Sequence, residues 1–456
     1  MLDGAAAQIT ESLQRAGLVA MRGRFLLHCG RCPQALAVLG PVLADPDVPH
    51  RVMLEAMATA TMALVACGRY DDAIAVAAKG LQLARPAAGE GWLLALDELA
   101  ATQAIAYLWS GQFVTAATLA ESGYQRALEA RSPPNVALWA LVHGQLAAAR
   151  GAMTEASVWL REAVATLAGP APLHPYQGSI ARAGLDALAR VAALTADPAG
   201  AQAALVQAEA LPGPPMRLFD TWPGPIHAWV AAARGDISTA VDLALSTAAE
   251  ARQRGQPGCE LTALHDVARL GSPARVATRL NELAAMVQGD LASLFIRHVQ
   301  AIVAANGAVL DGIAASFAAL GANLLAAEAA AAAAGSHRQA GRGASAAASA
   351  ARAAALAATC EGVRTPALIA LDEPVGLTPR ELEIARMAAS GLSSRAIAAR
   401  LVVAVRTVDN ALGQVYAKLC IGGRAELAAI FTLPGCALLP GSSPLLRPAH
   451  AVIPAG

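Results

Sequence analysis

The feature that most constrains this chain is a six-residue motif that returns at nearly even intervals. A glycine is followed by any residue, an apolar residue, two residues of any kind and an alanine. The motif appears as Gly30-Arg31-Cys32-Pro33-Gln34-Ala35 and Gly68-Arg69-Tyr70-Asp71-Asp72-Ala73. It returns as Gly111-Gln112-Phe113-Val114-Thr115-Ala116, Gly151-Ala152-Met153-Thr154-Glu155-Ala156 and Gly235-Asp236-Ile237-Ser238-Thr239-Ala240. The glycines are 38, 43, 40 and 84 residues apart, the last interval being two periods of 42. A degenerate copy, Ala196-Asp197-Pro198-Ala199-Gly200-Ala201, falls inside the double interval, and looser copies are placed at Gly271 and Gly321. Self-similarity at this period is the mark of a repeat array rather than of a single closed core.

Each period reads as two helices joined by a tight turn. Glycine takes the left-handed conformation that ends the first helix. The apolar residue two places on (Cys32, Tyr70, Phe113, Met153, Ile237) is expected to be buried between the helices, and the alanine to let them approach closely. One hairpin cannot bury its own apolar face, so neighbours must stack. Composition agrees: aromatics are only 4% of residues, and alanine and leucine, strong helix formers, fill most apolar positions. The expected class is all-α, a helical-hairpin superhelix over residues 1–360. The motif resembles the tetratricopeptide repeat, closest at Gly68 to Ala73, with a period longer than the usual 34.

Several features receive plain packing roles. Pro- and Gly-rich breaks at Gly169–Pro172 and Leu211–Pro215 are read as loops between repeats, because the period continues through them. The Ala-rich run Ala326–Ala334 is expected to be a slender surface helix. Trp109, Trp139, Trp159, Trp222 and Trp229 are assigned to inter-helix packing. Cys29 and Cys32 form a C-x-x-C, but no second pair or histidine set completes a ligand group, so they are expected to bind no metal and carry no redox role.

The texture changes after a linker at 361–376. Thr378, Pro379 and Glu381 form the start signal of a helix, with Thr378 as the cap, Pro379 in the first turn and Glu381 closing a capping box. This helix should run to Ser390 and stop at Gly391. Ser393 caps a second helix, Ser394–Leu401, and Val402–Val405 make a tight turn. A third helix follows at about Arg406–Leu419 and a fourth at about Arg424–Phe431. In the third, Val408, Leu412, Val415 and Leu419 form one buried stripe at spacings of 4, 3 and 4. Its other face carries Arg406, Thr407, Asp409, Asn410, Gly413, Gln414 and Ala417, a polar surface suited to a major groove. The whole chain has equal numbers of basic and acidic residues, 34 each. Residues 377–433 hold seven basic and four acidic ones, a local net charge of +3.

Leu377-Thr378-Pro379-Arg380-Glu381, Gly391-Leu392-Ser393, Ile397-Ala398, Arg406-Thr407-Val408, Lys418-Leu419 and Arg424-Ala425-Glu426-Leu427 resemble the LuxR-type (GerE-like) helix-turn-helix. The resemblance implies a four-helix DNA-binding domain at 377–433. Thr407 and Lys418 then fall at phosphate contacts, and Asp409, Asn410 and Gly413 where the family meets base edges. Arg395, Arg406 and Gln414 complete the expected DNA-binding set. The sequence departs from the family at Ser394, Ala396, Ala404, Ala411 and Cys420. Ala404 removes a hydroxyl cap from the recognition helix, a change of about 1 kcal/mol. With its array, the chain resembles the C-terminal half of large ATP-dependent LuxR-type regulators, but it contains no G-x-x-x-x-G-K-[ST] motif.

The expectation is a transcription regulator, not an enzyme, with no catalytic residues, cofactor or metal. Its partners are double-stranded DNA, a second copy of the chain on that DNA, and a protein or small-molecule effector on the array. No signal peptide or transmembrane stretch is read, which predicts a cytoplasmic protein. The tail 434–456, with five prolines, is expected to be disordered. The rival reading is a repeat scaffold whose last domain makes protein contacts and no longer binds DNA.

Overall fold

The computed structural model describes residues 12–84, 93–168, 175–211, 216–221, 224–372, 377–419 and 421–427. It divides into two compact units at Leu371/Asp372. The described residues of both are helical, without strands.

The first unit is a run of helical hairpins. The first five are α1 (Ser12–His28) with α2 (Cys32–Ala44), α3 (His50–Ala66) with α4 (Tyr70–Ala84), α5 (Leu93–Ser110) with α6 (Phe113–Glu129), α7 (Pro133–Arg150) with α8 (Met153–Leu167), and α9 (Pro175–Leu194) with α10 (Pro198–Ala210). Then come α11 (Ile226–Ala233) with α12 (Ile237–Gln253), α13 (Pro257–Arg269) with the short α14 (Ala277–Leu283), α15 (Asp290–Val303) with α16 (Gly307–Leu320), and α17 (Asn323–Gln339) with α18 (Gly343–Ala358).

The recurring motif does what its chemistry requires. Gly30, Gly68, Gly111, Gly151 and Gly235 all have φ between 72° and 97°. The degenerate copy bends the same way with Ala196 at φ 58°, where a side chain is sterically strained. Gly271 also sits at such a turn, but Gly321 joins two hairpins. The in-hairpin turns on either side of it belong to Ala305 and Gly341.

The apolar residue two places after each glycine is the first residue of the second helix. Cys32, Tyr70, Phe113 and Met153 are buried there; Ile237 is only half-buried. The motif alanines Ala35, Ala73, Ala116, Ala156, Ala201 and Ala240 are fully buried. In α4 the buried set is Tyr70, Ala73, Ala77, Gly80 and Ala84, and α6 repeats it in register with Phe113, Ala116, Ala120, Gly123 and Ala127. This is one face of a helix. The glycines admit a large neighbour: a Cβ on Gly80 would lie 2.6 Å from Leu99 and one on Gly123 2.1 Å from Trp139.

From α3 onward the first helix of each hairpin is the more buried one, and the array winds until later hairpins meet earlier ones. Gln256 Nε2 donates to Gly30 O at 3.0 Å, Gln288 N to Gly68 O at 2.8 Å, and Arg364 N to Leu194 O at 2.8 Å. Thr154 N donates to Glu361 Oε2 at 2.5 Å. The turns of these repeats therefore rest on segments about five hairpins further along the chain.

This winding corrects two expectations. The alanine run lies in α17 and is not on the surface. Ala326, Ala327, Ala329, Ala330, Ala331, Ala333 and Ala334 are all buried, because methyl side chains let an inner helix be approached from all sides. The expected linker 361–376 is structured in its first part. Val363 and Leu368 are buried in the array's core, and α19 (Pro366–Asp372) ends the unit. Among the tryptophans, Trp139 and Trp229 are fully buried and Trp109 and Trp159 half-buried, while Trp222 lies outside the described residues. The break at 169–172 and most of the break at 211–215 also lie outside them.

One inner helix stands out. α13 buries Glu260, His265, Asp266 and Arg269. Arg269 donates from Nε and Nη2 to both oxygens of Glu328, at 2.7 and 2.9 Å, and from Nη1 to Asp266 at 2.7 Å. Asp266 also accepts from Trp229 Nε1 at 2.9 Å and is paired with Arg190 at 3.1 Å. Burial pushes the Asp266 carboxyl up, but the Arg190 and Arg269 guanidinium groups outweigh it and hold the carboxyl below its ordinary range. His265 Nε2 and His298 Nδ1 are 3.1 Å apart. Burial pushes both imidazoles down, His298 to about 3.

Cys29 is half-buried and Cys32 buried, both as free thiols. Burial pushes the Cys32 thiol up to about 11, which disfavours the reactive thiolate.

Candidate nucleic-acid interface

The second unit is built by short, strongly capped helices: α20 (Pro379–Ala389), α21 (Ser394–Arg400) and α22 (Val405–Leu419). Thr378 Oγ1 accepts from Glu381 N at 3.2 Å, and Glu381 Oε2 accepts from Thr378 N at 2.6 Å, completing the capping box. Ser393 Oγ accepts from Ala396 N at 3.2 Å. Gly391, at φ 92°, turns the chain out of α20. Ile384, Ala385, Ala388, Ile397, Ala398, Leu401, Val408, Leu412, Val415 and Leu427 form one core. Capping and this small core fix the angle at which α22 is presented.

The turn before α22 passes through Val402 at φ 53°, with its side chain 90% exposed. Ala404 is the cap residue of α22. Its carbonyl accepts from Thr407 N at 2.9 Å and Val408 N at 3.4 Å, but its side chain offers no acceptor. The fourth helix is described at residues 424–427 only; the remainder, the Leu419 side chain and the tail 434–456 lie outside the described residues.

All eight residues singled out from the sequence are exposed: Arg395 on α21, and Arg406, Thr407, Asp409, Asn410, Gly413, Gln414 and Lys418 on α22. At 3.6 residues per turn, Arg406, Asn410, Gly413, Gln414 and Ala417 fall opposite the buried Val408, Leu412 and Val415. Thr407 and Lys418 share one flank, with half-buried Ala411 beside them, and Asp409 takes the other. A Cβ on Gly413 would meet nothing within 4 Å, so its lack of a side chain leaves an open notch on the face.

The cations divide into two groups. Lys418 Nζ donates to both Glu381 oxygens, at 2.9 and 2.7 Å. Burial works against the Glu381 charge, but the Lys418 ammonium and the Thr378 N–H hold its carboxyl below the ordinary range. Arg380 Nη1 pairs with Glu383 at 2.8 Å, and its Nη2 donates to Leu401 O at 3.3 Å, tying α20 to the end of α21. These two basic side chains brace the domain. Arg395 and Arg406 are exposed and make no ion pair among the described residues. The Lys418–Glu381 pair leaves no mark in the sequence: its partners are 37 residues apart, and Glu381 already has a role in the cap.

A small core that buries one face of a helix and leaves its polar, cation-bearing face exposed is the geometry of a helix-turn-helix. Residues 375–431 match the family described as bacterial regulatory proteins, luxR family. The chain carries a LuxR-family helix-turn-helix domain. The first three helices of this LuxR-family domain are those the sequence predicts, α22 being the third.

The array has its own likeness. A solved Rap protein, complexed with competence and sporulation factor, superposes with a TM-score of 0.53 at 11% identity, covering 77% of this chain and 99% of that one. At that identity the likeness is one of fold: a helical array of the tetratricopeptide type. No curated protein sequence matches the chain. The matched family is one of regulatory proteins, and no described helix is long and apolar enough to cross a membrane.

Proposed function

We propose that the protein is a sequence-specific transcription regulator whose LuxR-family domain reads the major groove with α22, and whose array receives the controlling signal. The observation that carries this is the exposed face of α22: a central amide, Asn410, flanked by Arg406, Gln414 and the open notch at Gly413. An amide can donate to and accept from one base pair at once, while guanidinium groups such as Arg395 and Arg406 serve phosphates or guanine. Lys418 reaches a phosphate only by sharing its charge with Glu381, so Arg395 and Arg406 carry most of the salt-dependent affinity. Two copies of the domain would read half-sites about one helical turn apart, giving an imperfect palindrome. The Rap protein of similar architecture is complexed with a factor, which supports a receiving role for the array.

The test is fluorescence anisotropy of the full chain against a selected duplex and a scrambled one, over a salt series. Asn410→Ala is expected to cost about 1–3 kcal/mol on the selected duplex and little on the scrambled one. Arg406→Ala should weaken both and lower the salt slope by about one unit. Equal affinity for both duplexes, unchanged by Asn410→Ala, would overturn the reading and leave the scaffold in its place.

A further inference from the structure

Inside the array lies a chamber of ≈ 130 Å³, partly open to the surface. Its wall takes Leu108, Ala148, Val191, His265, Phe295 and Leu324, one residue from each of α5, α7, α9, α13, α15 and α17. An occupant would therefore touch early and late repeats at once. The volume is close to the roughly 150 Å³ of an apolar cavity that admits benzene, so the chamber suits one aromatic ring with a small substituent. Phe113 and Phe295 bring aromatic rings to this wall, partners that a further ring meets edge-on or offset.

Charge beside the chamber is balanced. Arg269 pairs with Asp266 and Glu328, each at 2.7 Å, and Arg190 pairs with Asp266 at 3.1 Å. Two guanidinium groups thus answer two carboxylates, and burial keeps His265 uncharged. A charged occupant would lose its hydration there and find no free counter-ion. The Thr262 hydroxyl is also taken up, donating to Gly258 O at 3.1 Å. An acceptor is left over: Gln145, on the same wall, has its Oε1 buried with no hydrogen-bond partner. An unmet buried acceptor carries a desolvation penalty that a donor relieves. The broad torsion at the end of a glutamine side chain lets the amide turn toward one.

We propose that this chamber binds a small neutral aromatic molecule with a single hydroxyl or N–H donor, its ring among Leu108, Val191, Phe295 and Leu324 and its donor on Gln145 Oε1. The proposal rests on reading the array as the part that receives a signal, and it names the chemical class of that signal. Because the ring is held between early and late helices, occupancy stabilises the wound form of the array.

The experiment is a fluorine NMR titration of the full chain at neutral pH with 4-fluorophenol. The ring without a donor is 4-fluorotoluene, and the charged one is 4-fluorobenzoate. 4-Fluorophenol should bind one per chain, roughly tenfold more tightly than 4-fluorobenzoate, whose anion leaves water without a partner. Gln145→Leu should weaken 4-fluorophenol about fivefold, the loss of one hydrogen bond, and leave 4-fluorotoluene bound at least as tightly as before. Ala149→Phe, on the same wall, fills the chamber and should abolish binding of both. Circular dichroism melts check that each variant is folded. Should Ala149→Phe misfold, the comparison of the two rings in Gln145→Leu decides alone. No binding of 4-fluorophenol, equal binding of 4-fluorobenzoate, equal weakening of both rings by Gln145→Leu, or undiminished binding in folded Ala149→Phe would overturn the proposal. DNA affinity is read separately by anisotropy. A chain that binds 4-fluorophenol but not DNA refutes only the regulatory reading, and one that binds DNA but not 4-fluorophenol refutes only this one.

Discussion

Replacing Arg269 by methionine removes the cation at the centre of the array and leaves its apolar stem nearly unchanged in volume. In the native protein that guanidinium holds Glu328 through two hydrogen bonds and Asp266 through a third, and it lies 4.5 Å above the Trp229 ring. Asp266 keeps Arg190, but Glu328, buried in α17, has no other ion pair among the described residues. Removing one partner of a buried pair costs about 3–5 kcal/mol, mainly the penalty on the charge left behind. An unfolding entropy of about 2.1 cal/mol/K per residue gives roughly 0.8 kcal/mol/K for a unit spanning Met1–Leu371. The melting temperature should therefore fall by about 4–6 °C, and further where the repeats melt in smaller blocks. The sign of the pH dependence follows. Asp266 is held below its ordinary range, so its native contribution is present above the unfolded value near 4 and is lost only as pH falls through the lower folded value. A buried carboxylate without its cation shifts the other way and takes up a proton more readily than in water. The gap between wild type and variant should thus narrow from pH 7.5 to pH 5. Arg269→Met with Glu328→Leu should recover most of the loss, since both charges are then gone. The assay is thermal melting by circular dichroism across that pH range. An unchanged melting temperature, or a gap that widens on acidification, would refute the reasoning.

Gly68→Ala should destabilise the array by more than Gly235→Ala. Both residues are left-handed, but a Cβ on Gly68 would lie 2.9 Å from Val287 and 3.2 Å from Gly258 N, whereas nothing lies within 4 Å of Gly235. The strain alone costs about 1–2 kcal/mol, and equal melting shifts for the two variants would refute the close packing of the windings. Ala404→Ser should stabilise the LuxR-family domain by about 1 kcal/mol by supplying the missing cap, measured as slower hydrogen exchange at Thr407 and Val408. Glu381→Gln should lower the protection of α20 and α22 together at pH 7. In the native chain the Glu381 contribution is present above its unfolded pKa near 4.3 and lost as pH falls through its lower folded value, so wild type and variant should converge on acidification. Zinc bound stoichiometrically by the purified chain, and lost in Cys29→Ser/Cys32→Ser, would contradict the inert role of these thiols.

What the sequence makes legible is local. A left-handed turn, a buried first residue and a buried alanine are properties of one hairpin, so Gly68, Tyr70 and Ala73 announce themselves without reference to anything distant. The same holds for Thr378 with Glu381, for Ser393, and for the stripe Val408, Leu412 and Val415, since caps and helix faces are set within a turn or two. The exposed polar face of α22 is legible for that reason. Its electrostatics are not, because Lys418 meets Glu381 across 37 residues and a capping glutamate gives no sign of a second partner.

The rest depends on winding. An alanine run makes a helix in any context, but whether Ala326–Ala334 faces water or the centre of the array depends on which helices surround it. Gly30, Gly68 and Gly151 mark turns in the sequence, yet only the tertiary structure sets them against residues some 200 positions away. Glu260, His265, Asp266 and Arg269 of α13 are side chains that favour exposure when no partner is in view. Winding places Arg190, Trp229 and Glu328 around them, and those partners offset the desolvation of Asp266 and Arg269. Local chemistry thus determined the elements and the exposed polar face of α22. The superposition of early and late repeats decided the buried ion network and the chamber beside it, because both are assembled from helices that no sequence interval connects.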